Sequence, residues 1–516
     1  MSLIKATFLI FNLTFVTLTW SKRIQILHTN DLHSYFAGTR GGIGGYAQLK
    51  SVVNELKEKA NKENIPTIFL DAGDFGEGSS FYFSNQGVDS LRALDYLGVD
   101  VSVLGNHDYI LGGRELSKQI QEAKLKTKIT SANLVGKSKM GLLNLMPDYV
   151  DYDIENLKIR IFGLSTNEIH FMYPMRPNGY ISDYYKAGIK QAKKAKKDKV
   201  DFTIALTHIG VLSDIKLAEK TDSVQLIVGG HSHTVITEPK MVKNLAGIKI
   251  PVVQAGSHSG FIGSLIIDIK GKGEFEIIDY KIHYINRDMP QDEEVKKFVT
   301  NAFETRERYF GRSWSEVIGF SEIALSGNTN GQTIQNRTCW SRHIAKLIKN
   351  TANADLGVQV DNFNGEQIEP GTITFGDIID NFPHFRKWGD NGWKLSRVMI
   401  SGFLVKKFVE ILGNSEISNN FTIAGLQTMD KDLKKLVPYD FTKHPINNLY
   451  ISGEKIQVLR NYSVGMPSEV PFALKKMVDI FGYLIFNKVE TVPGSDYWRL
   501  VENHIRENSP LRCLND

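Results

Sequence analysis

From residue 24 to about residue 287, short apolar runs alternate with stretches of helical period. Ile24-Gln-Ile-Leu27, Thr67-Ile-Phe-Leu70, Val101-Ser-Val-Leu104, Ile159-Arg-Ile-Phe162, Phe202-Thr-Ile-Ala-Leu206 and Gln225-Leu-Ile-Val228 are compact and rich in β-branched side chains. Runs of that kind predict buried strands. Between them, 47–62 and 87–97 carry the spacing of amphipathic helices. The alternation predicts an α/β domain. Residues 290–312 are charged and helical in pattern, which suits a connector between domains. After it, 313–516 shows its own apolar runs and reads as a second, smaller α+β unit. The lysine-rich Lys193-Lys-Ala-Lys-Lys-Asp-Lys199 falls in a helical stretch and reads as a solvated face.

Composition narrows the class. A chain of 516 residues is too long for one simple domain, and 42% hydrophobic with 23% charged residues is ordinary globular usage. The 62 basic and 57 acidic residues leave a net charge of +5, too even for a protein dedicated to a nucleic-acid polymer. Two cysteines, Cys339 and Cys513, exclude a disulfide scaffold and a multi-cysteine zinc module. A single bridge between them stays open if the compartment is oxidising. At the N-terminus, Lys5 precedes an apolar run at 6–20 that Ser21-Lys22-Arg23 closes. This is the length of a signal peptide, taken as 1–22. An uncleaved anchor and a buried N-terminal strand are the alternatives. No other segment is long and apolar enough to span a membrane. Asn336, Asn420 and Asn461 stand in glycosylation sequons. The expectation is an exported protein, secreted or periplasmic.

Chemistry is written at the ends of the strands. Asp31 and His33 follow the first run, Asp74 the second, and Asn106 and His107 the third. His208 follows the fifth, and His231 and His233 follow the sixth in Gly229-Gly-His-Ser-His233. Open α/β sheets gather ligands in such loops. Carboxylate and amide oxygens mixed with imidazoles, without thiolates, suit divalent Zn, Mn, Fe or Co rather than a structural zinc. One His or Asp after a strand is ordinarily a cap or turn residue. Five such sites in order point to a metal centre.

The series Asp31-x-His33, Gly73-Asp74, Gly105-Asn-His-Asp108, Thr207-His208 and Gly230-His-Ser-His233 resembles the calcineurin-type metallophosphoesterases. Within them it is similar to the 5'-nucleotidase family. Gly42-Ile-Gly-Gly-Tyr-Ala47 and Val252-Val-Gln-Ala-Gly256 add to the likeness. The resemblance implies a four-layer α/β/β/α catalytic domain over 23–288, a connector helix over 289–312 and a substrate domain over 313–516. It assigns one metal ion to Asp31, His33, Asp74 and His233, and a second to Asp74, Asn106, His208 and His231. His107 becomes the catalytic group that stabilises charge on the phosphoryl group. In the family an aspartate three residues further on orients that histidine; here the position is Ile110, and Asp108 is expected to point elsewhere.

The likeness weakens in the second unit. Ile368-Glu-Pro-Gly-Thr-Ile-Thr-Phe-Gly-Asp377 matches, and Asn381-Phe-Pro-His-Phe385 with Val398-Met-Ile-Ser-Gly402 is expected to form the next strand pair. Gly365 stands where the family places a phosphate-gripping arginine. Phe421 lies near a base-stacking position, and Arg386 is a substitute phosphate donor; Asn106 also faces substrate in this scheme. Phe421 and Phe472 read as core aromatics rather than a base clamp, and Arg386 with Lys387 as a solvated loop rather than phosphate donors. The resulting expectation is a phosphohydrolase of 5'-nucleotidase type that takes a small-molecule phosphoester. The alternatives are a non-nucleotide substrate, a sulfur oxyanion ester, or a binding protein that has lost turnover.

Overall fold

The computed structural model describes residues 22–167, 179–271, 273–327, 333–334, 337–413, 421–430, 434–439, 448–471 and 488–513. The apolar run at 6–20, Asn336, Asn420 and Phe472 lie outside them. Strands β1 (Lys22–Thr29), β2 (Thr67–Asp71), β3 (Val101–Val103) and β4 (Lys128–Thr130) run parallel. A second sheet takes β5 (Tyr149–Ile154), β6 (Leu157–Ser165), β7 (Phe202–His208), β8 (Leu226–Gly229), β9 (Lys240–Lys243) and β10 (Lys249–Val253). Then β11 (Phe261–Gly271) and β12 (Glu274–Tyr284) return to the edge of the first sheet. The orders are β12-β11-β1-β2-β3-β4 and β9-β10-β8-β7-β6-β5.

The near-continuous apolar runs are explained by burial on both faces of each sheet. Ile24 and Ile26, Ile68 and Leu70, Ile204 and Leu206, and Leu226 and Val228 meet in one core between the sheets. The alternate residues Leu27 and Phe69 turn outward, under α1 (Tyr46–Lys62) and α2 (Val88–Leu97). Phe162, Ala205 and Ile227 likewise turn toward α3 (Tyr184–Lys197) and α4 (Val211–Glu219). This is the expected four-layer α/β/β/α arrangement. The lysine-rich segment lies in the last turns of α3, and Asp183 caps that helix by accepting from Lys186 N–H.

Helix α5 (Glu293–Phe310) occupies the segment expected to connect the two units. Asp292 caps its start, and Gly311, in the left-handed region at φ 63°, ends it. Arg306 of this helix is buried, donates to Ser80 Oγ at 2.6 Å and lies between the rings of Phe81 and Trp314. The following unit is built on a five-stranded sheet of β13 (Leu356–Val360), β14 (Leu395–Ser401), β15 (Phe421–Ala424), β16 (Asn461–Pro467) and β17 (Val489–Thr491), ordered β15-β13-β16-β14-β17. Residues 381–385 depart from the expected strand pair. Thr374 and Asp377 form a reciprocal capping box that starts a helix over Phe375–Asn381, and Pro383 lacks the N–H that a strand ladder would need. The chain leaves that helix as an extended loop and enters β14 only at Leu395.

Cys339 and Cys513 are bonded, with Cα atoms 5.0 Å apart across 174 residues of sequence. Closing so long a loop restricts the unfolded chain. Cys339→Ser is expected to lower unfolding stability by about 2–5 kcal/mol. Denaturant melts of the variant and the wild type, with and without reductant, check this: reductant should destabilise the wild type and leave the variant unchanged.

Candidate functional site

The ligand-bearing loops leave the carboxyl ends of strands from both sheets. Asp31 and His33 follow β1, Asp74 follows β2 and Asn106 follows β3; His208 ends β7, and His231 and His233 follow β8. Their backbones are unusual. Asp31, His33, Asp74, His231 and His233 all have positive φ, between 49° and 79°. Non-glycine residues rarely adopt that region, and strain of this kind gathers at functional sites. The loops hold one another in it: Asp31 N–H donates to Gly73 O, His33 N–H to Asp74 O and His258 N–H to Asp31 O, each at 2.8 Å. Gly105 is required here, because a Cβ would run into Asp74 Oδ1.

The side chains converge. His33 Nε2 lies 3.2 Å from His233 Nε2 and 3.8 Å from Asp74 Oδ2. His233 Nε2 is 3.2 Å from Asp31 Oδ1, and His208 Nε2 is 3.0 Å from Asp74 Oδ2. Donor atoms of Asp74, His208 and His231 fall within 4.8 Å of one another, as do those of His33, Asp74 and His107. His33 and His208 donate Nδ1–H to the backbone oxygens of Glu77 and Ala72, both at 2.7 Å. Those bonds fix the tautomer and turn each Nε2 lone pair into the cluster. His208 Nε2 meets Asp74 Oδ2, and Asn106 Oδ1 is buried without a hydrogen-bond partner among the described residues. Lone pairs and carboxylates facing one another in a buried space need cations, and the mixed oxygen and imidazole set fits divalent metal ions.

The protonation of the metal-free protein says the same. Burial raises the Asp31 carboxyl, but His208 and His233 beside it hold it at about 2. Burial works against charge on His208, yet Asp74 and Asp31 carry it up to about 10. Protons thus occupy the space between these groups when no metal does.

His107 has a partner that the sequence reading did not identify. Its Nδ1 is bonded to Glu77 Oε2, and its backbone N–H donates to Asp74 Oδ1 at 2.8 Å. Glu77 is fully buried, and its other oxygen accepts from His384 Nδ1 at 2.8 Å. Burial opposes the His107 imidazolium, but Asp74 and Glu77 outweigh it and raise the group to about 9. Asp108 does point elsewhere: its carboxylate accepts from the backbone N–H of Asp74, Gly76 and Gly105. Ile110 is buried and apolar. The available signal for Glu77 was a lone glutamate between glycines, three residues past Asp74. His258, whose ring nitrogen comes within 4.8 Å of donor atoms of His33 and His233, was also missed; it follows directly after the Val252-Val-Gln-Ala-Gly256 segment.

Phe421 and Arg386 are engaged with residues of the second unit. Phe421 is 8% exposed in β15, where it pairs with Val360 and packs edge-on to Phe408 in the core of the second unit. Arg386, two residues beyond His384, pairs through Nε with Glu469 Oε1 at 2.8 Å. Gly365 donates its N–H to Asn381 O, and a Cβ there would run into Asp380 O, so an arginine at this position would not fit the present loop.

Because His208 holds a proton below about pH 10 in the metal-free protein and must give it up to ligate, metal binding at neutral pH releases protons and tightens as pH rises. Calorimetric titrations of metal in buffers of different ionisation enthalpy are expected to show that release. Asp74→Asn, which removes the carboxylate nearest both His33 and His208, is expected to lose more metal than any single histidine variant, by elemental analysis.

Residues 24–235 match the model of the calcineurin-like phosphoesterases. Among curated proteins the chain is similar to the snake venom 5'-nucleotidase of Gloydius brevicauda, 28% identical over 335 residues, 60% of this chain and 55% of that one. It is similar also to the 5'-nucleotidase of Mus musculus, 27% identical over 344 residues, 61% of this chain and 57% of that one. The aligned part therefore spans a little over half the length of these relatives. Among solved structures, a 5'-nucleotidase precursor of Thermus thermophilus superposes with a TM-score of 0.77 at 20% identity, covering 96% of this chain and 98% of the other. With the matched loops carrying the clustered Asp and His donors, residues 24–235 form a calcineurin-like phosphoesterase domain, and the chain is similar to 5'-nucleotidases.

Proposed function

We propose that this chain hydrolyses small phosphoesters with two divalent metal ions. The observation that carries the reading is the convergence of Asp31, His33, Asp74, His208, His231 and His233, with the buried Asn106 Oδ1 left without a hydrogen-bond partner among the described residues. Asp31, His33, Asp74 and His233 hold one ion; Asp74, Asn106, His208 and His231 hold the other, with Asp74 shared. Bound divalent ions supply Lewis-acid polarisation of a phosphoryl oxygen and a nucleophilic water at neutral pH. His107 contributes a ring N–H toward the negative charge that grows on the phosphoryl oxygens, and Glu77 keeps the ring in place from Nδ1. The Cys339–Cys513 bond supports an oxidising, exported setting.

For substrate, the reading is a phosphoester recognised mainly at its phosphate, with weak attention to a base. Gly365 is enclosed by backbone and Pro383, and Phe421 is a core residue. A base stacked on one aromatic face gains about 1–3 kcal/mol, and that contribution is reduced here. KM for AMP should accordingly be high and purine preference slight. Steady-state kinetics across AMP, ADP, UDP-glucose, a sugar phosphate and p-nitrophenyl phosphate test this; a micromolar KM for AMP with strong purine preference contradicts it.

Activity on p-nitrophenyl phosphate should vanish in chelator and return with added Mn or Zn. His107→Ala should lower kcat by roughly 10²–10⁴-fold with metal content intact. Loss of metal in that variant would instead make His107 a ligand.

A further inference from the structure

Glu77 joins three things. Its backbone oxygen holds His33, its Oε2 holds His107, and its Oε1 is bonded to His384 of the second unit. We propose that His384 is a positioning residue: by binding Glu77 from the second unit, it fixes the carboxylate that orients His107. The catalytic histidine is then correctly oriented only when the second unit is seated. The proposal rests on the phosphoester-hydrolase reading for what His107 does, and on geometry alone for how it is held.

The need for a brace follows from side-chain length. A short aspartate close in sequence would be tethered by its own backbone, whereas a glutamate has an extra rotatable bond. Holding its side chain in one conformation costs rotamer entropy, so one hydrogen bond to a partly exposed imidazole fixes it poorly. Here the rest of the residue is already immobile. Gly76 N–H donates to Asp108 Oδ1 at 2.8 Å, and a Cβ on Gly78 would strike the His33 side chain at 2.6 Å. Only the carboxylate is left to be set.

His384 is built to set it. Its ring stacks on Trp393 with centroids 4.9 Å apart at 23°, and it meets Phe382 and Phe363 edge-on. Its Nε2 faces Phe363 O at 3.1 Å while Nδ1 faces Glu77. Both ring nitrogens therefore meet acceptors, and the bond to the ionised Glu77 carboxylate is charge-assisted. The same loop is gripped again a few residues on, where Ser80 N–H donates to Asp380 Oδ1 at 3.2 Å. On the other flank, Arg40 is bonded to Asp377 and, through its backbone N–H, to Glu366. The second unit is thus docked on both sides of Glu77.

Two full-chain variants separate a hydrogen-bonding role from packing. His384→Phe keeps an aromatic ring and loses the donor; His384→Asn loses the ring and keeps a donor near Nδ1. His384→Phe should lower kcat on p-nitrophenyl phosphate roughly ten- to a hundredfold at unchanged KM and metal content. His384→Asn should stay within about threefold of wild type. The double variant Glu77→Gln with His384→Phe should be no slower than Glu77→Gln alone, since both act through one contact. In zinc-loaded, histidine-labelled protein, the His107 Nδ1–H resonance, assigned by its loss in His107→Ala, should be sharp in wild type and His384→Asn and broadened or shifted in His384→Phe. An unchanged resonance in His384→Phe overturns the proposal, as do unchanged kcat or multiplying effects in the double variant. The resonance reads the proposal even if the wild type turns over no phosphoester, an outcome that would fault only the hydrolase reading.

Discussion

Three carboxylates that solvent scarcely reaches, Asp31, Asp74 and Glu77, govern the rest of the arrangement. An isolated buried carboxylate is prohibitively costly, and a pair of them more so, unless positive charge is brought alongside. The chain answers in two ways. Around Asp31 and Asp74 it gathers imidazoles whose lone pairs also face inward, which leaves room for divalent cations. Around Glu77 it places one imidazole from each unit, His107 and His384. The first cluster can hold metal ions, and the adjoining one orients the imidazole proposed to act beside them.

The scaffold makes this tolerable. Asp31, Asp74 and Asn106 come from the first sheet, while His208, His231 and His233 come from the second, so the site straddles the seam between the two. Below it, Ile26, Leu70, Val103, Leu206 and Val228 are packed into one core. A slip of one residue in any of these strands would turn its core side chains to the other face and carry its ligand away from the seam. The positive φ values of the ligand residues oppose folding locally, and the well-packed sheets below, together with the hydrogen bonds between loops, hold them.

Much of this could be read from the sequence, for a physical reason. Doubly buried strands are continuous apolar runs, and the ligands follow them within a few residues, so strand and site announce each other. The four layers and the clustering of Asp31, His33, Asp74, His208, His231 and His233 followed from that pattern and the resemblance it carries. Glu77 did not, because its two partners stand 30 and 307 residues away and nothing local distinguishes it from a solvated loop glutamate. His384 was hidden by the same distance, in a segment expected to be a strand; the helix started by Thr374 and Asp377 ends at Asn381, and His384 lies in the loop that follows. In the second unit the family's substrate residues are missing at Gly365, and no periodicity can say what replaces an absent arginine.

The proposed chemistry needs two cations sharing Asp74. Anomalous diffraction from crystals of the zinc- or manganese-loaded protein, collected on either side of the metal edge, tests it most directly. The expected result is two peaks flanking the Asp74 carboxylate, one among Asp31, His33 and His233 and the other among Asn106, His208 and His231, with His107 bonded to Glu77 and touching neither. No peak in the cluster, a single peak away from Asp74, or a peak ligated by His107 would contradict it.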